Sequence, residues 1–201
     1  MMENLIENAK AFAREVFAAD SSGHDYAHTL RVYQLASRIA RQEGADVILV
    51  ELSALLHDVD DHKLSPDTAE NKDRAVTFLR SQAVPEGDVQ KIVHLIDQIS
   101  FSRNTMPPDT LEGKCVQDAD RLDAMGAIGI ARTFAFGGSH GRPIHDPTGA
   151  APGTGIAHFY EKLLLLKDRM NTETGRRLAQ HRHEFLQTYL TEFLSEWEGD
   201  I

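Results

Sequence analysis

Between Asp46 and His57 the chain reads Asp-Val-Ile-Leu-Val-Glu-Leu-Ser-Ala-Leu-Leu-His. Val47 to Leu56 would be apolar on nearly every side of a helix, and such a helix has to be buried with other elements around it. Asp46 is a good N-cap for it. Its far end delivers His57 and Asp58, followed by Asp60 and Asp61, so an imidazole and three carboxylates stand where a helix end could have been inert.

The flanking segments supply helices to surround it. Leu5, Ala9, Phe12, Val16 and Phe17 recur at helical spacing and predict an amphipathic helix ending near Ala19. A second helix runs from about Asp25 through Leu30, Leu35, Ile39 and Ala40 to Gly44, a common residue just past a helix end, with His28 in its first turn. Ser65-Pro66 reads as a cap with proline at the first helical position, opening a helix that contains Ala75, Phe78 and Leu79. After Pro85, the positions Val89, Ile92, Val93, Ile96 and Ile99 predict a fifth.

A sixth helix begins near Leu111 to Lys114 and carries Val116, Ala119, Leu122, Met125 and Ile130 on its apolar side, with Asp118, Asp120 and Asp123 beside them. Gly126, Gly129 and the alanines of this run suggest close packing on a neighbour. Gly137 to Gly155 holds six glycines and three prolines, which predicts a long structureless connection; a lid or a partner contact is the natural role. Ile156 to Met170 and Glu173 to Trp197 close the chain as two helices, the last burying Leu178, Phe185, Leu186, Tyr189, Phe193 and Trp197. With no strand pattern, the expected fold class is all-α, a single domain over 1–201.

Composition narrows the function. A formal charge of -10 and a pI near 5.4 argue against a protein that holds nucleic acid by neutralising phosphates. A small phosphorylated molecule remains compatible if cations are concentrated locally. No window approaches a membrane span, and the N-terminus lacks the basic and apolar regions of a secretory signal. The single cysteine, Cys115, excludes an intrachain disulfide, fits a reducing cytoplasm, and reads as a buried structural thiol.

Divalent cations take neutral imidazoles and ionised carboxylates as ligands, and the fold must bring them to one point. Three separate helices offer them: His28 on one, His57 with Asp58 on another, and Asp118, Asp120 or Asp123 on a third. A bare His-Asp pair is weak evidence. The order His, His-Asp, Asp on three helices is a much stronger signal.

The stretches Gly23 to Val32, Leu55-Leu56-His57-Asp58-Val59 and Val116 to Ala124 resemble the HD superfamily of metal-dependent phosphohydrolases, nearest to its stand-alone bacterial members. The likeness extends to Ser100-Phe101-Ser102, Ala127 to Arg132 and Thr172 to Gly175, and so spans most of the chain. It implies an HD-type helical bundle, with a core at about 24–125 and C-terminal helices at about 156–198. It also implies one divalent metal ion (Mn, Mg, Ni, Co, Fe or Zn) bound by His28, His57, Asp58 and Asp120. Asp120 is preferred because the last ligand of the family lies in an Ala-Asp-x-Leu context, matched by Ala119 to Leu122. Asp118 and Asp123 are then expected on a solvated or ion-paired helix face.

Asp61 occupies the place where related phosphohydrolases carry a catalytic carboxylate, with a helix-end surface acid as the equal alternative. Phosphate needs fixed cations as well. Lys63 is the first candidate and Arg31, one turn after His28, the second; Arg31 can equally pair with a ligand carboxylate. Arg121, adjoining Asp120, is a third candidate, with a solvent-facing side chain as its alternative. Only His62 and His94 lie between the His-Asp pair and Asp120, which favours one metal over two. His94 is read as a satisfied, partly buried histidine with a substrate contact open, while His24 and Asp25 organise the start of the second helix or line the pocket mouth. His140, His145, His158, His181 and His183 are read as surface.

The implied function is a cytoplasmic phosphohydrolase of a nucleotide or related phosphoester, leaning towards nucleoside triphosphates cleaved to monophosphate and pyrophosphate. The expected partner is thus a small phosphorylated substrate, with no nucleic acid and no membrane, and a homodimer is left open. A metal- and nucleotide-binding sensor without turnover is the alternative. An iron oxygenase would need a dinuclear ligand set that the sequence does not offer.

Overall fold

The structure, a computed structural model, describes residues 2–18, 25–61, 67–99 and 106–200. Among the described residues every regular element is helical. The chain divides into two compact units, residues 1–120 and 121–201.

The first unit is built from α1 (Met2–Val16), α2 (Tyr26–Glu43), α3 (Val47–Leu56), α4 (Asp73–Ser81), α5 (Glu86–Ile99) and most of α6 (Leu111–Asp123). The caps of α2 and α3 are local. Asp25 accepts from the His28 amide at 2.7 Å, and Asp46 accepts from those of Ile48 and Leu49 at 3.0 and 3.2 Å. Gly44 closes α2 with φ +76°, a left-handed conformation that only glycine adopts without strain.

Helix α3 is the centre, packed by α1, α2 and α5 and buried from Val50 to Leu56. Leu52, Leu55 and Leu56 join Ile6, Ala9, Ala13 and Phe17 of the α1 segment, Ala75, Phe78 and Leu79 of α4, and Val89, Ile92 and Ile96 of α5 in one core. Each fully buried leucine or isoleucine there stabilises by roughly 1.5–3 kcal/mol. The buried carboxylate of Glu51 on α3 is satisfied by Ser37 Oγ at 2.5 Å and Arg41 at 3.0 Å, both on α2.

The expected opening of the fourth helix at Ser65-Pro66 lies outside the described residues. Residues 67–72 form turns and α4 starts at Asp73. The expected sixth helix is two: α6 stops at Asp123, and Gly126, at φ +67°, opens α7 (Gly126–Ser139). Gly129 is required by close approach, because a Cβ there would stand 2.3 Å from the Ala124 carbonyl oxygen in the turn between them.

The second unit comprises α7, α8 (Gly155–Glu161), a 3-10 helix (Leu163–Arg169) and α9 (Glu173–Glu198). The single helix expected over Ile156 to Met170 is thus broken at Lys162. The connection after α7, residues 140–154, carries no helix or strand, as expected, but it is tied down by hydrogen bonds. Gly155 and Ile156 donate to the Pro143 and Ile144 carbonyls at 3.0 and 2.9 Å, and Asp146 accepts from Thr148 and Ala151.

The buried stripe of α9 is Thr174, Gly175, Ala179, His183, Leu186 and Leu190, whereas Phe185 and Trp197 are each 47% exposed. The aromatic positions form a second column instead. Phe159 stacks on Tyr189 and Phe193 on Trp197, with Phe134 against Phe159, Tyr189 and Phe193. No helix among the described residues is long and apolar enough to cross a membrane.

Candidate metal centre

α3 ends where the chain turns through His57 to Asp60, and this turn faces the N-terminal end of α2 and the C-terminal half of α6. His28 is 2% exposed and His57 8%. Their rings meet edge to face, with centroids 5.5 Å apart. His28, His57 and Asp120 each offer a ligand atom, all within 4.8 Å of one another, and could hold a metal ion. Asp58 joins them, its Oδ2 lying 3.2 Å from His57 Nε2 and 3.6 Å from His28 Nε2; Asp120 Oδ1 is 3.5 Å from His28 Nε2.

The protonation pattern of His57 fits a cation. Its Nδ1 lies 2.8 Å from the Ala54 carbonyl oxygen, which can only accept, so Nδ1 carries the hydrogen and Nε2 keeps its lone pair. Nε2 is buried without a hydrogen bond, although carboxylate oxygens stand close to it. A buried polar atom left in this condition calls for a ligand or a proton. Opposing influences set the proton affinity of the ring. Burial is the largest influence and favours the neutral ring, but the charges of Asp58 and Asp120, the contact with Asp58 and the Ala54 carbonyl outweigh it and raise the pKa to about 9.

The other acids of the motifs are placed differently. Asp61, half-buried, donates its amide to the Asp58 carbonyl at 3.0 Å. Asp60 is buried and accepts from the amides of Arg74 and Ala75. Asp118 and Asp123 are both buried, so neither lies on a solvated face; Asp123 is ion-paired, 2.7 Å from Arg132. Arg121 is buried rather than solvent-facing, its guanidinium donating to the Arg169 carbonyl. Its acceptor is 48 residues away in sequence, so no local signal announced it.

Arg31 is half-buried on α2, one turn beyond His28. Lys63, His24 and His62 lie outside the described residues, as do Gly23 and Ser100-Phe101-Ser102. His94 is exposed rather than partly buried, and it is satisfied by Asp109 at 2.9 Å and by Gln98. His183, read as surface, is buried, and His158 is half-buried. Cys115 on α6 is a buried free thiol, its pKa pushed up to about 12 by burial and the charges of Asp118, Glu43 and Glu112.

The pattern of the HD domain matches residues 25–125, which span every member of this cluster. The chain belongs to the HD superfamily. The uncharacterized protein YpgQ of Bacillus subtilis is 41% identical, over 97% of this chain and 93% of its own. The crystal structure of YpgQ in complex with ADP covers all of this chain and 97% of its own, with a TM-score of 0.82 and 38% identity. An HD-superfamily hydrolase from Bacillus thuringiensis matches with a TM-score of 0.84 and 39% identity, covering 98% of this chain and 99% of that one.

Proposed function

We propose that this chain is a metal-dependent phosphohydrolase acting on a nucleotide or related phosphoester, with His28, His57, Asp58 and Asp120 as the ligands of one divalent ion. The observation that carries the reading is the His57 ring, anchored at Nδ1 and turning Nε2 to within 3.2 Å of Asp58, in the midst of a second imidazole and two carboxylates. A divalent ion held there would lower the pKa of a bound water and offset the charge of a phosphate oxygen. The ADP bound by YpgQ, a relative over nearly the whole chain, supports a nucleotide as the ligand class.

The residues then divide the work. The His57 Nδ1–Ala54 bond fixes the ring so that Nε2 points at the centre. Asp61 takes the proton from the attacking water. Lys63 and Arg31 steady the phosphates against the charge of the surrounding acids. For a nucleoside triphosphate, the water oxygen bonds to the α-phosphorus as the bond to the bridging oxygen breaks, leaving monophosphate and pyrophosphate.

The test is release of phosphate and pyrophosphate from a nucleotide panel with manganese. The wild type should turn over many times, and a His57→Ala, Asp58→Ala double variant should not. Unchanged release by that variant defeats the proposal. ADP in the YpgQ crystal shows binding alone, which favours a second reading, a sensor that holds nucleotide without hydrolysis. Tight nucleotide binding with no release under any divalent metal would decide for it.

A further inference from the structure

A helix end frays unless something outside the helix holds it. The turn that carries His57 and Asp58 is such an end, with two backbone bonds of its own: Val59 to the Leu56 carbonyl at 3.3 Å and Asp61 to that of Asp58 at 3.0 Å. Within it Asp60 is 2% exposed. A buried carboxylate is costly unless its oxygens are satisfied. Both are: Oδ1 accepts from the Arg74 amide at 3.2 Å and Oδ2 from the Ala75 amide at 2.9 Å.

Those amides are the second and third of α4, the donors that an N-cap side chain ordinarily takes. Helix α4 has no such cap of its own. Lys72 stands at its N-cap position without a side-chain cap bond, in a left-handed conformation at φ +55° that disfavours a residue with a Cβ. Lys72 is held there from both sides, its ammonium donating to the Ala69 carbonyl at 2.6 Å and lying 3.3 Å from Asp97 of α5. The first four amides of α4 are all accounted for. Asp73 donates to the Thr68 carbonyl, Arg74 and Ala75 to Asp60, and Val76 to the Lys72 carbonyl.

We infer that Asp60 is a positioning residue for the metal ligands: its buried carboxylate caps α4 from the turn itself and so locks His57 and Asp58 in place. It acts two residues from Asp58 and is itself no ligand. The inference rests on the metal-centre reading above. An ordinary cap lost elsewhere lowers stability alone; the loss of this one also loosens the ligands.

The experiment is Mn2+ binding to the full chain, followed by calorimetry and by the electron paramagnetic resonance spectrum of the bound ion. The wild type is compared with Asp60→Ala, Asp60→Asn and Thr172→Ala, the last removing the cap of α9, where Thr172 accepts from the Gly175 amide at 2.9 Å. Asp60→Ala should bind Mn2+ about 10–100-fold more weakly, as loss of a group supporting metal ligands does, with an altered spectrum. Asp60→Asn keeps one acceptor oxygen and should fall between the two. Thr172→Ala should melt earlier and bind with unchanged affinity. Wild-type affinity and spectrum in folded Asp60→Ala overturn the role of Asp60 alone; should that variant not fold, the same result in Asp60→Asn does so. A wild type that takes up no Mn2+ overturns the centre itself, and the role of Asp60 with it.

Discussion

His57 in the first unit and His183 in the second are both buried histidines with one ring nitrogen that makes no hydrogen bond. Their surroundings drive them in opposite directions. Around His57 the carboxylates of Asp58 and Asp120 outweigh burial and raise the pKa to about 9. At His183 burial, aided by the charge of Lys167, lowers it from the ordinary 6.5 against weaker pulls from Asp168 and Glu184. An imidazole that burial leaves neutral is a component of packing. One held among several anions is shaped for a cation.

The units differ in the same sense as wholes. The first carries 12 basic and 21 acidic residues, the second 9 and 10, so most of the negative charge lies with the ligand candidates. Seven of the nine exposed large hydrophobics among the described residues belong to the second unit. There guanidiniums close backbone carbonyls, the buried Arg121 that of Arg169 and the half-buried Arg182 that of Leu122. That is polarity spent on structure.

The contrast can be broken most directly by metal binding. His57→Ala should weaken Mn2+ by more than the roughly 10–100-fold that loss of a supporting group costs, and His183→Ala should leave it unchanged. A large loss from His183→Ala would end the distinction. The second unit should answer to packing instead. Phe159, fully buried in the aromatic column, should cost about 3–5 kcal/mol as Phe159→Ala, read in denaturant by the fluorescence of Trp197, the one tryptophan.

Next in size is pH. Binding to His57 Nε2 displaces a proton, so Mn2+ affinity should climb about tenfold per pH unit between 6.5 and about 9 and then level off. Calorimetry in two buffers of different ionisation enthalpy counts that proton, and an affinity flat across the window contradicts the assignment. Without metal the two histidines act oppositely. The raised His57 contributes stability that is present below 6.5 and lost as pH rises through about 9. The lowered His183 contributes stability present above 6.5 and lost as pH falls. The smallest effect is expected at Phe185, where Phe185→Ser should stay within about 0.5 kcal/mol by melting, since half of that ring is already in water.

Features set by neighbouring residues were legible in the sequence. Asp25, Asp46 and Gly44 mark the ends of α2 and α3 because a cap and the amides it serves lie within a few positions. The start of α4 was not legible, because its cap is supplied by Asp60, 14 and 15 positions from the amides it binds. Hydrophobicity misled along α9. Phe185 and Trp197 are the larger apolar residues, yet the face turned inward belongs to Ala179, His183, Leu186 and Leu190, spaced by three and four. At the site, His28, His57 and Asp120 were named from motif resemblance, and the fold brings them within 4.8 Å. What no motif carried was the environment: the Ala54 carbonyl that sets the tautomer, and the buried pairing of Asp123 with Arg132.

Cys115 lies on the same helix as Asp120, fully enclosed and with its thiol poorly ionised. An alkylating reagent can reach it only when that helix opens, because the thiolate is the reactive form and the native environment suppresses both access and ionisation. The rate of thiol labelling is therefore a clock for the opening of α6. Slower labelling in the presence of a divalent cation would record, in time rather than in affinity, how firmly the ion ties Asp120 to the rest of its centre.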